Sequence, residues 1–320
     1  MPKALLLYNP VAGRFPIQPF IHTADRALVE YGWQVEVVET RSGKHATEMS
    51  RRAAESGLDV VFASGGDGTI SQVASGLIGT DTALGVLPSG TANVWARELG
   101  LSVFNWARWW VLRDNVRLLA ESPACPIDVG LCNGLPFIMW AGMGLDAMTI
   151  HRIEPRVRLE KFFTVPEYAA ATLLNAAQWR GVTMRLWADG HEVRGHYMLA
   201  VVNNIRHYMG GLANLSPDAC LDDGLLDLWL FAGDSLADVL RHAFDLWAGR
   251  HVDSRAVQRI PVREVRFDAI QPFAVQADGE PIAMLEQATV TVQPRALKVL
   301  IPPKAHDLLS HPPQKIHVPN

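Results

Sequence analysis

This chain of 320 residues has few cysteines, no long apolar run and no excess of positive charge. Its 3 cysteines are odd in number and form no metal-binding spacing, so we expect a reducing, cytoplasmic compartment. No segment approaches the roughly 20 uninterrupted apolar residues of a membrane span, and the apolar run after Lys3 is too short for a signal peptide. A formal net charge of −4 argues against non-specific binding of nucleic acid.

Apolar residues, by contrast, are plentiful, and their pattern changes along the chain. They make up 49% of the sequence, which is enough to form a large core, and 320 residues exceed the size at which one core keeps growing. Strands and helices alternate up to about residue 122, whereas strands and hairpin turns such as Asn133-Gly134 dominate afterwards. We therefore predict an α/β domain over residues 1–124 and a β-rich sandwich domain over residues 125–294.

A glycine-rich stretch, Ser64 to Thr69, is the most informative local feature of the sequence. It joins an apolar strand to a helix that begins near Ile70, and such a turn directs backbone N–H groups and the positive end of a helix dipole toward one point. The glycines permit the close approach of a large anion. Asp67 would repel a phosphate on its own, so its presence predicts a Mg²⁺ ion between the carboxylate and the phosphate.

Three other predicted strands also end in small or hydroxylated residues. The first ends at Asn9–Gly13, the second at Glu39-Thr40 and the fourth at Pro88–Asn93. The carboxyl ends of parallel strands meet at one edge of an open sheet, where ligands bind. Four such turns in register with a β-α alternation therefore predict a nucleotide site.

In this order and spacing, the motifs resemble the diacylglycerol kinase catalytic domain family, soluble lipid kinases with a fold similar to NAD kinase and phosphofructokinase. The resemblance covers roughly residues 4–301. It implies an α/β nucleotide-binding domain, a C-terminal β-sandwich, and a last segment, about 295–310, that returns to the first domain. We predict that the tail, residues 302–320, is flexible. The matching motifs are Asn9-Pro10 with Gly13, Gly65–Thr69, Pro88–Asn93, Asp128-Val129-Gly130, Asn133-Gly134, Pro136-Phe137, Ala141–Ala147, Leu221–Asp227 and Asp278-Gly279-Glu280.

The same resemblance implies the residues of an ATP site along the four turns. One position departs from the family, since many members carry Asp where this chain has Val94. Any role of that Asp in an acidic network is therefore in question here. The residues implied to bind ATP are Asn9, Pro10, Gly13, Thr40, Gly65, Gly66, Asp67, Gly68, Thr69, Ile70, Ser71 and Thr91.

Two Asp-Gly turns are each followed closely by a glutamate. Glu192 follows Asp189-Gly190 after one further residue, and Glu280 follows Asp278-Gly279 directly. The sequence alone predicts only hairpin turns at both places. The resemblance assigns a general base to the second turn, so Glu280 and Asp67 are the candidate catalytic residues and Glu192 is expected to be structural.

An acidic cluster in the second half of the chain is a candidate for a second Mg²⁺ site. The resemblance implies that Asp223 binds the ion with its carboxylate, and that Cys220 and Leu225 bind it with main-chain oxygens. Hard cations accept carbonyl ligands, so the side chains at those two positions do not forbid the site. A strand-entry turn without metal is the alternative, and Asp128 matches a further family acid at the domain junction.

The function expected from the resemblance is ATP-dependent phosphorylation of a lipid hydroxyl, with diacylglycerol as the leading substrate. ATP and Mg²⁺ are the expected cofactors, and Glu280 would accept the hydroxyl proton. Two alternatives stay open at this point: a kinase of a soluble acceptor, as in NAD kinase, and a nucleotide-binding lipid sensor without catalysis. The second alternative follows from Val94.

Two segments are candidates for contact with a membrane surface. Residues 105–113 contain Trp106, Trp109 and Trp110 with two arginines, and we expect these tryptophans to pack in the core of the first domain. Residues 151–163 carry four cations, which suit the headgroup boundary of an anionic membrane. We therefore expect reversible, peripheral contact with the inner face of the membrane through residues 151–163.

Overall fold

The first part of the chain forms a parallel sheet with helices between its strands, in a computed structural model that describes residues 1–14, 16–153 and 179–311. The strand order is β2-β1-β3-β4. The apolar strands β3 and β4 are buried along their whole length and therefore lie inside the sheet, whereas β2 is partly exposed at its edge. The bounds are β1 Lys3–Tyr8, α1 Ile21–Glu30, β2 Gln34–Glu39, α2 Gly43–Glu55, β3 Val60–Gly65, α3 Asp67–Leu77, β4 Ala83–Pro88, α4 Val94–Glu98 and α5 Val111–Ala120.

The second part is mainly antiparallel. Strands β7, β9, β12 and β13 are neighbours in that order. Strand β14 pairs with the other edge of β7, and β8 pairs with both β9 and β14. A second hydrophobic core lies between these strands, around Phe137, Leu228 and Phe267. The bounds are β5 Ala124–Cys132, β6 Leu135–Phe137, β7 Trp140–Gly144, α6 Leu145–Ile153, β8 Val182–Ala188, β9 His191–Asn203, β10 His207–Tyr208, β11 Ala213–Asn214, β12 Leu226–Ala232, α7 Leu236–Trp247, β13 Val257–Val262, β14 Glu264–Ala277 and β15 Glu280–Leu300.

The long strand β15 connects the two parts. It pairs with β14 at its start, with β5 further on, and with β4 in parallel through Val299 and Leu84. The register with β5 shifts between Gln293 and Leu297, where Arg295 has a φ of 54°. This irregularity bends β15 between its antiparallel pairing with β14 and its parallel pairing with β4. An α/β part followed by a strand-rich part is the predicted architecture, while the domain limits at residues 124 and 294 stay a prediction.

The C-terminal segment is better packed than its composition predicts. Residues Pro303–Leu308 form a 3-10 helix, and Leu308 is only 3% exposed. The backbone N–H of Ser310 donates to Asp222 Oδ1 at 2.6 Å. The prediction of a flexible tail from residue 302 is therefore wrong up to residue 311, because apolar side chains anchor the segment; residues 312–320 lie outside the described residues.

The tryptophans of residues 105–113 are also not where we expected them. Trp106, Trp109 and Trp110 are 51%, 46% and 47% exposed, so the prediction that they pack in the core is wrong. The helix begins only at Val111, and its buried face is formed by Val111, Leu112, Val116 and Leu119 instead. The other predicted membrane segment, 151–163, lies outside the described residues from 154 onward.

Candidate active site

The four predicted turns meet at one edge of the parallel sheet and enclose a cavity of about 840 Å³. The strands end there because each is followed by a residue that turns the chain into a helix or loop. Glu280, from the far end of the sequence, completes the wall. The cavity is lined by nine of the twelve residues predicted to bind ATP: Asn9, Pro10, Gly13, Thr40, Gly66, Asp67, Gly68, Thr69 and Thr91.

The three remaining predicted residues do not line this cavity. Gly65 ends β3, and the space where its Cβ would lie is filled by Thr69, whose Cβ is 2.5 Å from that position. Ile70 is fully buried in the core, because the first turn of α3 directs it away from the sheet edge. The Ser71 hydroxyl donates to Asp278 Oδ2 at 2.8 Å, so it contacts the β15 hairpin instead.

Close backbone contacts hold the turns together. A Cβ on Gly90 would lie 2.2 Å from the Cα of Gly66, and a Cβ on Gly13 would lie 2.2 Å from the carbonyl oxygen of Ser89. Only glycine allows such an approach, and Gly13 also adopts a φ of +67°. The Asn9 side-chain amide adds a hydrogen bond of 3.0 Å to Thr69 Oγ1, so the cavity walls position one another.

Asp67 lies at the start of α3 and also faces the start of α4. Its Oδ1 accepts a hydrogen bond of 3.2 Å from the backbone N–H of Trp95. Burial raises the pKa of Asp67, while backbone N–H groups around Val94 act in the opposite direction. Val94 itself is only 2% exposed and packs in the core. Asp67 therefore joins two helices as well as lining the cavity.

Glu280 reaches the cavity because a two-residue turn precedes it. Asp278 and Gly279 have φ values of 49° and 84°, and Ala277 pairs with Glu280 across the turn, as in a type I′ hairpin. The Glu280 Oε1 atom lies 3.7 Å from the position that a Cβ on Gly68 would occupy. This carboxylate therefore faces the glycine-rich loop at the start of α3.

The turn before Glu192 has nearly the same backbone, with φ values of 47° and 83° at Asp189 and Gly190. Glu192, however, is engaged by arginines: Arg194 Nε donates to its Oε1 at 2.9 Å, which lowers the pKa of Glu192. Glu192 does not line the cavity at the sheet edge. The two glutamates differ in tertiary position and also in register, because Glu280 directly follows its turn and Glu192 comes one residue later.

Asp278 is a buried carboxylate that sequence reasoning treated only as a turn residue. Its oxygens accept hydrogen bonds from the backbone N–H groups of Ile138 (2.9 Å), Met139 (2.8 Å) and Trp140 (3.2 Å), besides the Ser71 hydroxyl. Burial raises its pKa to about 6, against the lowering effect of these donors. Asp278 thereby ties the Glu280 turn to α3 and to the start of β7.

A second, apolar cavity of about 90 Å³ lies behind this turn. Gly279 N–H donates to Gln276 Oε1 at 2.9 Å, and Gln276 Nε2 donates to Asp146 Oδ2 at 2.7 Å. Asp146 is the acidic member of a lining that is otherwise mostly apolar. The lining residues are Leu145, Asp146, Met198, Leu199, Tyr208, Met209, Phe231, Val239, His242, Ala243 and Leu246.

The predicted second metal site corresponds to a small pocket of about 80 Å³ that Cys220, Asp223 and Leu225 line together. Burial, with the negative charge of Asp227 and Asp222, raises the pKa of Asp223. A cation would relieve that repulsion, so the donor set fits a hard ion. Among the described residues, however, no group of three or more His, Cys, Asp and Glu side chains is arranged to hold a metal.

Asp128, the further acid noted in the sequence, fixes the loop beside this pocket. Its Oδ2 accepts from the Gly224 N–H at 2.6 Å and its Oδ1 from the Arg295 N–H at 2.7 Å. It is completely buried. Asp128 therefore connects the acidic loop to the bend of β15 by hydrogen bonds.

Comparisons with known proteins agree with this architecture. Residues 3–132 match the diacylglycerol kinase catalytic domain, and residues 140–301 match the YegS C-terminal NAD kinase beta sandwich-like domain, which confirms the predicted fold class. A diacylglycerol kinase of Mycobacterium tuberculosis is 31% identical over 312 residues, covering 94% of this chain and 95% of the relative. One of Bacillus subtilis is 28% identical over 308 residues, covering 94% and 97%. A Bacillus anthracis diacylglycerol kinase structure has a TM-score of 0.70 at 19% identity, covering 95% and 98% of the two chains.

The contact between Gly13 and Ser89 predicts a difference between two glycine-to-alanine variants. Gly13→Ala adds a Cβ against a carbonyl oxygen at positive φ, whereas Gly57→Ala, at φ +71°, meets nothing within 4 Å. The control should lose about 1 kcal/mol of unfolding free energy from backbone strain, and Gly13→Ala at least about 1 kcal/mol more. Denaturant unfolding measures both. Equal losses would contradict the described contact.

The pKa of Asp278 predicts how its contribution to stability depends on pH. Because that pKa, about 6, lies above the value of about 3.9 in an unfolded chain, the folded state binds more protons between these values. The contribution to unfolding free energy is therefore largest below about pH 4 and falls as pH rises to about 6. Asp278→Asn cannot titrate, so the stability advantage of the parent over this variant should shrink over that range in urea unfolding. An advantage that grows with pH would show that the four hydrogen bonds outweigh burial.

Proposed function

The chain belongs to the diacylglycerol kinase family and is a lipid kinase, and on this premise we propose that it transfers the γ-phosphoryl group of ATP to a lipid hydroxyl. Diacylglycerol, which would become phosphatidic acid, is the proposed substrate. The observation that carries the proposal is the position of the Glu280 carboxylate at the cavity wall, 3.7 Å from the position of a Cβ on Gly68 at the start of α3. A carboxylate in that position is suited to accept a proton from a hydroxyl beside a bound phosphate.

The start of α3 is the proposed place for the ATP phosphates. Gly66 is its N-cap, and no side chain caps the helix there, so the first N–H groups are available to an anion. The helix is 11 residues long, and its dipole favours negative charge at this end. Thr40 and Thr91, on opposite walls of the cavity, can contact the rest of the nucleotide.

Asp67 is the residue proposed to hold Mg²⁺ beside the phosphates, directly or through water. Its carboxylate lines the cavity. Its pKa is raised because burial disfavours the charged form, and the described hydrogen bonds to it come from the backbone and not from a cationic side chain. A bound Mg²⁺ would supply charge neutralisation to the phosphoryl group during transfer. The hydrogen bond from Trp95 keeps the carboxylate oriented at the cavity wall.

In the proposed reaction, the lipid hydroxyl oxygen forms a bond to the γ-phosphorus while the bond to the β-phosphate oxygen breaks, and ADP leaves. The hydroxyl proton moves to the Glu280 carboxylate. Asp278 acts as a positioning residue, because its four hydrogen bonds fix the turn from which Glu280 projects. The type I′ backbone of Asp278 and Gly279 determines where the Glu280 Cβ lies.

The apolar cavity supports a lipid in preference to a soluble acceptor such as NAD. Its lining is apolar apart from a few groups, of which Asp146 is linked through Gln276 to the Glu280 turn. A cavity of about 90 Å³ could hold a few methylene groups of an acyl chain, with the hydroxyl end of the lipid near Asp146. That arrangement directs the acceptor toward Glu280.

Glu280→Gln tests the general base. The amide cannot accept the hydroxyl proton, so turnover should fall by about 10²-fold or more, with ATP affinity nearly unchanged. Glu192→Gln is a matched control, because Glu192 follows a turn of the same conformation but contacts Arg194 instead of the cavity. Turnover is measured with labelled ATP and diacylglycerol. If turnover falls in Glu192→Gln and not in Glu280→Gln, the general base has been assigned to the wrong turn.

Melting temperature tests the second metal site independently of turnover. If Asp223 binds Mg²⁺ in the folded state, added Mg²⁺ should raise the melting temperature of the parent, and Asp223→Ala should remove that increase. Asp218→Ala is the control, because Asp218 lines the same pocket and pairs with Arg259 at 3.2 Å but is not a proposed ligand. If added Mg²⁺ does not change the melting temperature of the parent, the proposed second Mg²⁺ site is wrong.

A further inference from the structure

Helix α7 carries apolar residues on two different faces. Its inner face, with Val239, His242 and Leu246, is buried. Its outer face carries four large apolar side chains at intervals of four, four and three residues, which places them on one side of the helix. These residues, the outer stripe, are Leu236 (37% exposed), Leu240 (52%), Phe244 (53%) and Trp247 (75%).

The outer stripe is continuous, unlike the isolated apolar side chains of an ordinary surface. Phe244 and Trp247 are in ring contact, with centroids 6.1 Å apart. Val252, just beyond the helix, is 49% exposed. A stripe of this kind marks a binding surface for an apolar partner.

The inner edge of the same helix forms a wall of the apolar cavity. Val239, Ala243 and Leu246 line that cavity. Ala243 is also exposed and directly precedes Phe244 of the outer stripe. The cavity and the stripe are therefore adjacent faces of one helix, so a molecule that leaves a membrane at the stripe has the cavity beside it.

We propose that the outer stripe inserts into the headgroup boundary of a lipid bilayer and that α7 is the surface through which the lipid substrate reaches the apolar cavity. The proposal rests on the proposed lipid kinase function. A tryptophan at the end of an aliphatic and aromatic stripe suits that boundary, where its ring is buried and its N–H stays hydrated.

The charges around the stripe indicate that apolar insertion drives this contact. Arg241 directly follows Leu240 in the sequence and pairs with Asp238 at 2.9 Å, while Asp245 directly follows Phe244 and Arg250 comes three residues after Trp247. The cations are thus balanced by acids, so binding should occur on uncharged phosphatidylcholine and depend little on salt. A basic segment such as residues 151–163 would instead require anionic lipid and low salt.

The test uses flotation of the full chain with phosphatidylcholine vesicles, without ATP. Leu240→Glu combined with Phe244→Glu should weaken vesicle binding by about 100-fold, since each side chain contributes about tenfold when it is buried. Both positions are exposed and neither lines the apolar cavity, so the melting temperature should stay close to that of the parent. The matched control replaces Trp106 and Trp109 with glutamate, which adds the same charge at two comparably exposed apolar positions, and binding should be retained.

Three results would overturn the proposal. One is equal vesicle binding by the parent and the stripe variant, and another is a loss of binding only in the tryptophan control. The third is a parent that is dimeric in solution and becomes monomeric in the stripe variant, because the stripe would then be an interface between copies of the chain.

Turnover separates this inference from the proposed function. With a short-chain diacylglycerol dissolved as monomers, the stripe variant should keep parental turnover, whereas turnover of long-chain diacylglycerol in phosphatidylcholine vesicles should fall with vesicle binding. If neither protein phosphorylates any diacylglycerol while the difference in vesicle binding persists, the proposed substrate is wrong and the membrane surface stands. If turnover falls equally on both substrates, α7 does not act through the membrane and the inference is wrong.

Discussion

The carboxylate of Asp278 is the interaction on which the arrangement of the site depends. It is buried, and it accepts hydrogen bonds from Ser71 on α3 and from three backbone N–H groups before and at the start of β7. One side chain thus joins the parallel sheet part to the strand-rich part. Glu280, two residues later, has its place in the cavity because this anchor fixes the turn.

The same turn connects the two substrates of the proposed reaction. On one side, α3 begins at the glycine-rich loop and would carry the phosphates of ATP. On the other, hydrogen bonds connect Gly279 through the side chain of Gln276 to Asp146, which lines the apolar cavity. Helix α7 forms one wall of that cavity. The proposed phosphate site, proton acceptor and lipid site are therefore connected by one hydrogen-bonded network.

The sequence predicts which residues meet at the edge of the parallel sheet, because strand ends followed by glycine and hydroxylated residues converge in any parallel sheet; that this edge binds a nucleotide stays a prediction. It fails at Ile70, because Thr69 lines the cavity while the side chain of Ile70 faces the core. It also cannot separate Asp278 from Asp189, because both begin type I′ turns and only tertiary contacts distinguish them. The apolar cavity was missed since its lining comes from segments far apart in sequence, between Leu145 and Leu246.

The most direct measurement follows the transferred phosphoryl group itself. Purified protein is incubated with Mg²⁺, ATP carrying ¹⁸O in its γ-phosphoryl group, and vesicles that contain diacylglycerol, and the lipid and soluble fractions are then analysed by mass spectrometry. The account predicts phosphatidic acid that carries the heavy oxygens of the γ-phosphoryl group. ATP consumption with the label only in inorganic phosphate or in a soluble product would contradict it.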